Sequence, residues 1–345
     1  MSRRYLFTVV VFVLWILGFQ VASSMGGIDL WGMFLRVSPW SVLVGLTFYV
    51  ISASAGIFIL YRALGYAGVK APFKGVAKGW IFGSFIDNIS PTVAPLGQVG
   101  ITYFMERFYD VAYSKSLAAI GMYVSAWGVG ASMFSTVGII LAHLFVGIPQ
   151  EYLFFALLAL AFYFGATIVW LLLLTKKELM RRIVHVLVRP YNKVYNLVRK
   201  GDVTFDSHVY DIMFDRSYAS LDVVMRNKGH LFTSAALFWI LQLGQVTCLY
   251  FIIMGFGVSV PFFGILMVHV VSSMISLLSI IPSGLFIYET AIVKLTEAVA
   301  PGSGQAILAA VMLHRLIFVW LTNLIGGAIG VIQGIGKLEK RRVLS

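Results

Sequence analysis

Charged side chains are scarce in this sequence. Lys, Arg, Asp and Glu make up 12% of its 345 residues and hydrophobic residues make up 60%, whereas about a quarter of the residues of soluble domains are charged. The mean hydropathy is +0.91. These values exclude an ordinary soluble domain and predict an integral membrane protein in which residues 1–345 form a single membrane domain.

Cysteine and acidic residues are also rare. The one cysteine, Cys248, excludes a disulfide within the chain and is predicted to be a small buried hydrophobic residue. The 14 Asp and Glu are outnumbered by 26 Lys and Arg, which gives a net charge of +12. Because basic residues collect on the cytoplasmic side of membrane proteins, we interpret this excess as a topological signal and predict no nucleic-acid partner.

Motifs of soluble enzymes are missing as well. The sequence has no His, Cys and Glu cluster with metal-ligand spacing, and no P-loop, dinucleotide-binding fingerprint or nucleophile elbow in a suitable context. We therefore expect no metal, no cofactor, no catalytic residue and no enzymatic activity.

The sequence does contain long apolar runs. A spanning helix needs about 20 apolar residues, and the candidates are Tyr5 to Ala22, Trp40 to Tyr61, Leu117 to Val146, Tyr152 to Leu174, Leu231 to Met254 and Gln305 to Ile332. The first run follows Arg3 and Arg4 as a signal peptide would, but no convincing cleavage site follows it, and we interpret it as a retained anchor. The sequence thus predicts an all-α protein with six full spans.

Two further apolar stretches are interrupted by Pro and Gly. The first, Val76 to Phe108, contains DNISPTVAPLGQVG (Asp87 to Gly100), and the second, Phe262 to Val299, contains SIIPSGLFIYE (Ser279 to Glu289). Each arm has about half to two thirds of a spanning length. We interpret both stretches as re-entrant helical hairpins, which turn at mid-depth and return to the side from which they came.

The distribution of positive charge supports this topology. With a cytoplasmic N-terminus, six spans and two returning hairpins, the cytoplasmic segments contain 23 of the 26 Lys and Arg. Arg36 lies outside, and Lys294 and Arg315 lie in or near membrane segments. A full crossing by either hairpin would move alternate basic loops to the wrong face. We predict a multi-pass protein of the cell membrane with both termini in the cytoplasm.

The predicted order of elements has an internal symmetry. A span, a hairpin and a span occur in residues 39–146 and again, in the opposite orientation, in residues 230–335, which is an inverted repeat of the kind found in secondary transporters. The simpler alternative is that any six-span protein offers some pseudo-symmetry. Between the repeats, residues 175–229 form a basic amphipathic cytoplasmic segment, predicted either to lie on anionic headgroups or to present a solvated charged face.

Polar residues in the first break are candidate site residues. Unpaired backbone groups are costly in hydrocarbon, so this break requires surrounding protein or water. Asn88 and Ser90 are suited to helix capping, and Pro91 is suited to the first turn of the returning arm. Capping explains Asp87 less well, because a buried carboxylate needs a partner or a proton. The N-terminal end of the returning arm would also attract an anion such as phosphate.

The second break supplies a matching set. Pro282, Ser283 and Gly284 open its turn. Glu289 lies on the returning arm, and Arg315 lies near the middle of the last span. An unpaired Arg at that depth costs at least about 2.5–3.5 kcal/mol, so we expect Glu289 to be its partner. The pair is either a structural lock between hairpin and span or a cation that meets a lipid phosphate.

Three motifs resemble a known family. They are NISPTVAPLGQVGITYFMER (Asn88 to Arg107), PSGLFIYE (Pro282 to Glu289) and HR followed by GG (His314, Arg315, Gly326 and Gly327). Together they are similar to the flippase-like membrane domain of lysylphosphatidylglycerol synthases, in order and spacing over nearly the whole chain. The chain resembles a stand-alone member, because it ends soon after the last span and the soluble aminoacyl-transferase domain of larger members is not expected.

The resemblance implies movement of a phospholipid or polyprenyl-type lipid between leaflets, through a cavity framed by two opposed hairpins. By position it points to Asn88, Pro91, Gly97, Pro282, Gly284, Glu289 and Arg315. The sequence departs from the family pattern at Gln98, where an acid is common, at Ile101, where Arg is common, and at Phe286, where Gly is usual. The first two departures would remove a salt bridge as a unit, so the family's substrate does not transfer directly.

We therefore predict a lipid flippase or transporter for an anionic phospholipid or a polyprenyl-type lipid. The candidate headgroup-binding or gating residues are Asp87, Asn88, Pro91, Gly97, Gln98, Pro282, Gly284, Glu289 and Arg315. Two alternatives stay open: an intramembrane transferase with Asp87 and Glu289 as acid and base, and a non-catalytic lipid-binding partner of a glycosyltransferase. Small-residue helix faces are compatible with a homodimer.

Overall fold

The computed structural model describes residues 30–90, 96–147, 150–182, 215, 218–219, 221 and 228–333. Within these ranges the chain is helical and forms no strand, as predicted. The helices are α1 (Leu30–Arg36), α2 (Pro39–Tyr66), α3 (Phe73–Ile89), α4 (Leu96–Tyr109), α5 (Tyr113–Val146), α6 (Gln150–Thr175), α7 (Lys228–Gly255), α8 (Phe262–Leu277), α9 (Ile287–Glu297), α10 (Gly304–Arg315) and α11 (Thr322–Ile332).

Five stretches of the described chain are long and apolar enough to cross a membrane. They are Pro39–Tyr66, Tyr113–Val146, Tyr152–Thr175, Gly229–Gly255 and Gly304–Ile332. These coincide with five of the six predicted spans, and the remaining prediction, Tyr5 to Ala22, lies outside the described residues. Large apolar side chains such as Phe154, Leu157 and Ile168 on α6 are exposed, as expected of a helix that faces lipid.

Helices α3 and α4 form an antiparallel hairpin. Gly75 lies against Tyr109 at its open end, and Gly83 lies against Ile101 nearer its turn, so small residues allow the two arms to approach closely. With 17 and 14 residues, the arms are about 25 and 21 Å long, which is less than the roughly 30 Å core of a bilayer. Because α3 continues through Ile89 and α4 begins at Leu96, the break is shorter than the predicted break from Asp87 to Gly100.

Helices α8 and α9 form the second hairpin. The chain between them makes one short 3₁₀ turn, Pro282–Gly284. Ser283, Gly284 and Phe286 have φ angles of 54°, 59° and 65°, which lie in the left-handed region that L-amino acids other than glycine seldom adopt. The family resemblance marks Phe286 as a position where Gly is usual, and the backbone at this position explains that preference.

The two hairpins enter the bundle from opposite ends. The open end of the first adjoins the end of α2 and the start of α7, where the rings of Tyr66 and His230 stack 3.6 Å apart. The open end of the second adjoins the C-terminal end of α5, where Gly264 lies beside Val146. The turns of the hairpins meet between these ends. Whether both hairpins are re-entrant in a bilayer stays a prediction.

The contacts between the two halves of the chain are reciprocal. The first arm of the first hairpin, α3, packs on α11, where Gly326 meets Phe85. The first arm of the second hairpin, α8, packs on α5, where Gly138 meets Leu266. Each hairpin therefore contacts the last span of the opposite half, as two inverted units would. The inverted repeat, with boundaries near 39–146 and 230–335, stays a prediction.

The basic segment 175–229 lies mostly outside the described residues. In its described part, Asp215 lies 2.8 Å from the Lys177 ammonium and 2.6 Å from the Arg181 guanidinium, so the chain folds back on itself here. The hydrogen bond from Lys177 lowers the pKa of the Asp215 carboxyl below its ordinary value. Asp215 is exposed and its two partners are half-buried, and pairs this close to solvent contribute little to stability.

Candidate functional site

The candidate site lies where the two hairpin turns meet. The Ser283 hydroxyl donates a hydrogen bond of 2.7 Å to the Asn88 carbonyl oxygen. The Asn88 side-chain amide donates a hydrogen bond of 2.9 Å to Asn323 Oδ1 on α11. Asn88, in the last turn of α3, therefore joins the first hairpin to both the second hairpin and the last span.

Asp87 caps the returning arm of the first hairpin, a role for which the sequence made Asn88 and Ser90 the better candidates. Its Oδ1 accepts a 2.6 Å hydrogen bond from the backbone N–H of Gly97. A Cβ atom on Gly97 would lie 2.2 Å from the Asp87 carboxylate and 2.4 Å from the Gly83 carbonyl oxygen. The two arms cross at this point, and any side chain larger than hydrogen would prevent their backbones from coming so close. The role of Gly97 is therefore to let α4 approach α3.

Arg315 and Glu289 form the predicted ion pair. Arg315 Nε lies 2.6 Å from Glu289 Oε1, and the two side chains are 8% and 3% exposed. Arg315 Nη2 also donates a 2.7 Å hydrogen bond to the Ser283 carbonyl oxygen. The guanidinium carbon lies 4.6 Å from the centre of the Tyr288 ring, which adds a cation–π contact. The second hairpin thus holds this buried cation in one orientation.

Two adjoining cavities of about 400 and 520 Å³ lie at the contact between the hairpins. Six of the residues that line both are Trp80, Asp87, Asn88, Trp127, Gln245 and Arg315. His269 and His314 line the smaller cavity, and Gln98 and Ser283 line the larger one. Both volumes lie in the range of small-molecule sites, about 300–1,000 Å³.

Several buried polar atoms beside these cavities make no hydrogen bond to the described residues. They are Gln98 Oε1 and His269 Nε2, which belong to residues that line the cavities. The ring nitrogens of His314 also lack a well-aligned bond within this part of the chain, although the backbone of Gln245 makes a weaker polar contact with that ring. Because buried polar groups are nearly always paired, these atoms indicate a place for polar groups of a ligand.

The structure describes eight of the nine predicted site residues. Asp87, Asn88, Gln98 and Arg315 line the cavities, and Glu289 supports Arg315. Gly97 and Gly284 permit close contacts, since a Cβ atom on Gly284 would lie 2.0 Å from Ser276 Oγ, and Pro282 is exposed at the turn. Pro91 lies outside the described residues.

Other residues of the site were not predicted from the sequence. They are Trp80, Trp127, Gln245, Tyr288 and Asn323. An amide inside an apolar span such as Gln245 is costly in lipid unless it faces the protein interior, and that signal could have identified it. The π-helical turn Leu316–Leu321, directly after Arg315, has no comparable sequence signal, although such turns are frequent at functional sites.

Comparisons with known proteins agree with the motifs. The family model described as the lysylphosphatidylglycerol synthase TM region matches residues 5–326. The chain belongs to this family. It is also similar to the UPF0104 membrane protein PH1989 of Pyrococcus horikoshii, with 23% identity over 329 residues that cover 93% of this chain and 92% of that protein. Family membership confirms the resemblance seen in the sequence and is consistent with a lipid-related membrane protein.

Proposed function

We propose that this protein moves an anionic phospholipid or a polyprenyl-type lipid between membrane leaflets. In this proposal the headgroup passes through the two adjoining cavities while the acyl or prenyl chains stay in the bilayer. The observation that carries the proposal is Arg315, a buried cation on the wall shared by both cavities, beside the contact between the hairpin turns.

Arg315 is the proposed contact for the lipid phosphate. Its Nε and Nη2 are engaged by Glu289 and Ser283, whereas its Nη1 makes no hydrogen bond within the described ranges. A hydrogen bond to a charged group contributes roughly 1.5–3 kcal/mol. Glu289 offsets part of the positive charge, and this offset favours release of the phosphate as well as binding, which transport requires.

The hydrogen bonds between the hairpins are suited to reversible separation. The Ser283–Asn88 and Asn88–Asn323 bonds link the first hairpin to the second half of the chain, and each contributes only about 0.5–1.5 kcal/mol. The Arg315–Glu289 pair, in contrast, lies entirely within the second half. Rocking of one half against the other, as in many transporters, would therefore open the cavities while the cation keeps its partner.

A leaflet-exchange assay in liposomes with acyl-labelled lipids tests this proposal. The double variant Arg315→Gln/Glu289→Gln removes both buried charges together, so no unpaired charge is left to unfold the protein. We expect it to lose most of the exchange catalysed by the wild type. The matched control is Lys294→Gln/Glu297→Gln, which removes a pair at the end of the same arm whose side chains are 76% and 33% exposed; it should exchange lipid normally.

Two results would count against the proposal. One is wild-type exchange no faster than that of protein-free liposomes across a panel of anionic and polyprenyl lipids. The other is a folded double variant, with a monodisperse elution profile, that exchanges lipid as fast as the wild type. The transferase alternative has less support, because Glu289 is bound by Arg315 and is not among the residues that line either cavity.

A further inference from the structure

We infer that the headgroup bound in these cavities is an uncharged, hydroxyl-rich group esterified to phosphate, such as glycerol, inositol or a sugar. An amine-bearing headgroup, including the aminoacyl group after which the family is described, fits the cavities less well. This inference rests on the proposed function and names its substrate class. It depends on four features of the cavity wall, namely its charges, its amides, its unpaired buried atoms and its aromatic faces.

Formal charge on the cavity wall is nearly absent and balanced. Among the described residues that line the two cavities, Asp87 and Arg315 are the charged ones. Asp87 already accepts a hydrogen bond from Gly97, and Arg315 repels a second cation. A headgroup with an ammonium group needs a surplus of negative charge to replace its hydration. Asp87 is the one carboxylate on the described wall, and its hydrogen bond to Gly97 is already formed, so the wall favours a headgroup whose sole charge is the phosphate.

Amide side chains take the place of charges along the wall. Gln242 and Gln245 lie three residues apart on α7, so they share one side of that helix. Gln98 reaches the same cavity from α4, and Asn88 reaches it from α3. An amide has both donors and acceptors, as a hydroxyl group has, so each amide can pair with a hydroxyl in either direction.

The unpaired buried atoms have the same chemical preference. Gln98 Oε1 is an acceptor without a partner in the described chain, and His269 Nε2 is likewise unpaired. His269 Nδ1 lies 3.1 Å from the Tyr288 hydroxyl, and His269 is only 3% exposed. A ligand hydroxyl satisfies an imidazole nitrogen in either tautomer, whereas an ammonium group only donates. Hydroxyl groups of a ligand can therefore pair with both of these unpaired atoms.

Two tryptophans give the cavities flat apolar faces. Trp80 and Trp127 both line the two cavities. The Trp80 indole N–H donates a 3.1 Å hydrogen bond to the Tyr123 hydroxyl, and Trp127 packs edge-on against Phe238, so both rings are held in place. A polyol or sugar ring has C–H faces and hydroxyl edges. Aromatic faces with a few placed polar groups are the lining that such a ligand requires.

A headgroup panel tests the inference with the wild-type protein in liposomes. Phosphatidylinositol and phosphatidylglycerol are compared with phosphatidylserine, which has the same net charge but carries an ammonium and a carboxylate group in place of the polyol. We expect the polyol lipids to exchange at least about tenfold faster, the ratio that one well-placed hydrogen bond gives. Polyprenyl phosphate with and without a hexose forms a second arm, which separates a polyprenyl source of the headgroup from a glycerolipid source. Equal or faster exchange of phosphatidylserine would overturn the inference.

A variant tests the role of the amides directly. Gln245→Leu should lower the ratio of phosphatidylinositol exchange to phosphatidic acid exchange by about tenfold, because the polyol loses a hydrogen bond. Gln305→Leu is the matched control, since Gln305 is exposed at the start of α10, and it should keep the wild-type ratio. An unchanged ratio in a folded Gln245→Leu protein would contradict the assignment.

A binding measurement separates the inference from the proposed function. Thermal stabilisation of the detergent-purified protein is measured with phosphatidylinositol, phosphatidylglycerol and phosphatidylserine. Selective stabilisation by the polyol lipids without any leaflet exchange would refute transport and support the headgroup class. Exchange without such selectivity, in both assays, would support transport and refute the headgroup class.

Discussion

Arg315 and its partners show how this protein keeps a cation inside its hydrophobic interior. The guanidinium is bonded to a carboxylate and a carbonyl oxygen, and it lies over the Tyr288 ring. Removal of charge from water is costly, and the attraction between the partners repays that cost only when the geometry is good. The pair therefore contributes little to stability as a whole, yet the loss of one partner leaves an uncompensated charge.

The first prediction concerns the difference between removing one charge of the pair and removing both. Arg315→Gln or Glu289→Gln alone should destabilise the protein by about 3–5 kcal/mol, because each leaves one buried charge without its partner. The double variant should be more stable than either single variant. Thermal unfolding in detergent measures all three. A double variant as unstable as the single variants would show that the hydrogen bonds, and not the charges, dominate this site.

The second prediction concerns the strained backbone at Phe286, whose φ is 65°. An L-residue in the left-handed region costs roughly 1–2 kcal/mol. Phe286→Gly should therefore be more stable than Phe286→Ala by about 1 kcal/mol, since both variants lack the ring and differ only in the backbone. At Leu285, where φ is −52°, the order should reverse. The same order at both positions, in thermal melts, would contradict the strain argument.

At the scale of elements, each hairpin depends on glycines where the chain approaches itself. Gly83 and Gly97 lie at the crossing of α3 and α4, and Gly284 lies against Ser276 in the second turn. Side chains at these positions would push the arms apart. Because the turns carry Asn88 and Ser283, any displacement of the arms would also change the contact between the hairpins.

The third prediction tests this dependence on glycine. Gly97→Ala should destabilise the protein by about 1–3 kcal/mol, the usual cost of overpacking, because the new methyl group meets the Asp87 carboxylate. Gly165→Ala on α6 is the control, since no other part of the described chain lies within 4 Å of a Cβ placed there. It should be neutral or slightly stabilising. Thermal melts of equal midpoint for the two variants would refute the close-approach role.

At the scale of the whole molecule, the two hairpins are arranged in opposite directions. Their open ends lie at opposite ends of the bundle, and their turns meet beside the cavities. A headgroup in the cavities would then be separated from each end by one hairpin. The topology predicted from the basic residues places these two ends on opposite sides of the membrane. The proposed transport would then move the headgroup past one hairpin at a time.

The fourth prediction concerns the sidedness of the hairpins. Single cysteines at Lys70 and Asp110 flank the first hairpin, and single cysteines at Ser259 and Pro301 flank the second; all four positions are exposed. Cys248, the one native cysteine, is 0% exposed and gives little background labelling. We expect the first pair to react with an impermeant thiol reagent from the cytoplasmic side and the second pair from the outer side.

The labelling pattern is decisive for the topology. If the two flanks of either hairpin react from different sides of the membrane, that segment crosses the bilayer completely. The cavities would then not lie between two opposed re-entrant hairpins, and the proposed route for the headgroup would be wrong.

Much of the architecture was present in the sequence itself. Apolar runs of spanning length predicted five helices that the structure contains, because hydrocarbon admits only segments whose backbone is fully bonded. The Pro and Gly interruptions predicted both helix breaks. The position of Arg315 in the last span predicted an acidic partner, since a lone cation at that depth is costly. Glu289 was the best candidate because it was expected at a similar depth.

Only the tertiary structure decided which partners the polar residues of the two helix breaks contact. Helix α3 continues two residues past Asp87, where the predicted break starts, and Asp87 is the residue that bonds to Gly97 on the returning arm. The contacts of Asn88 with Ser283 and Asn323 join residues 195 and 235 positions apart, and no local pattern encodes them. The amides and tryptophans of the cavities come from separate helices. Composition and periodicity determined which segments enter the membrane, whereas long-range packing determined which polar groups face one another.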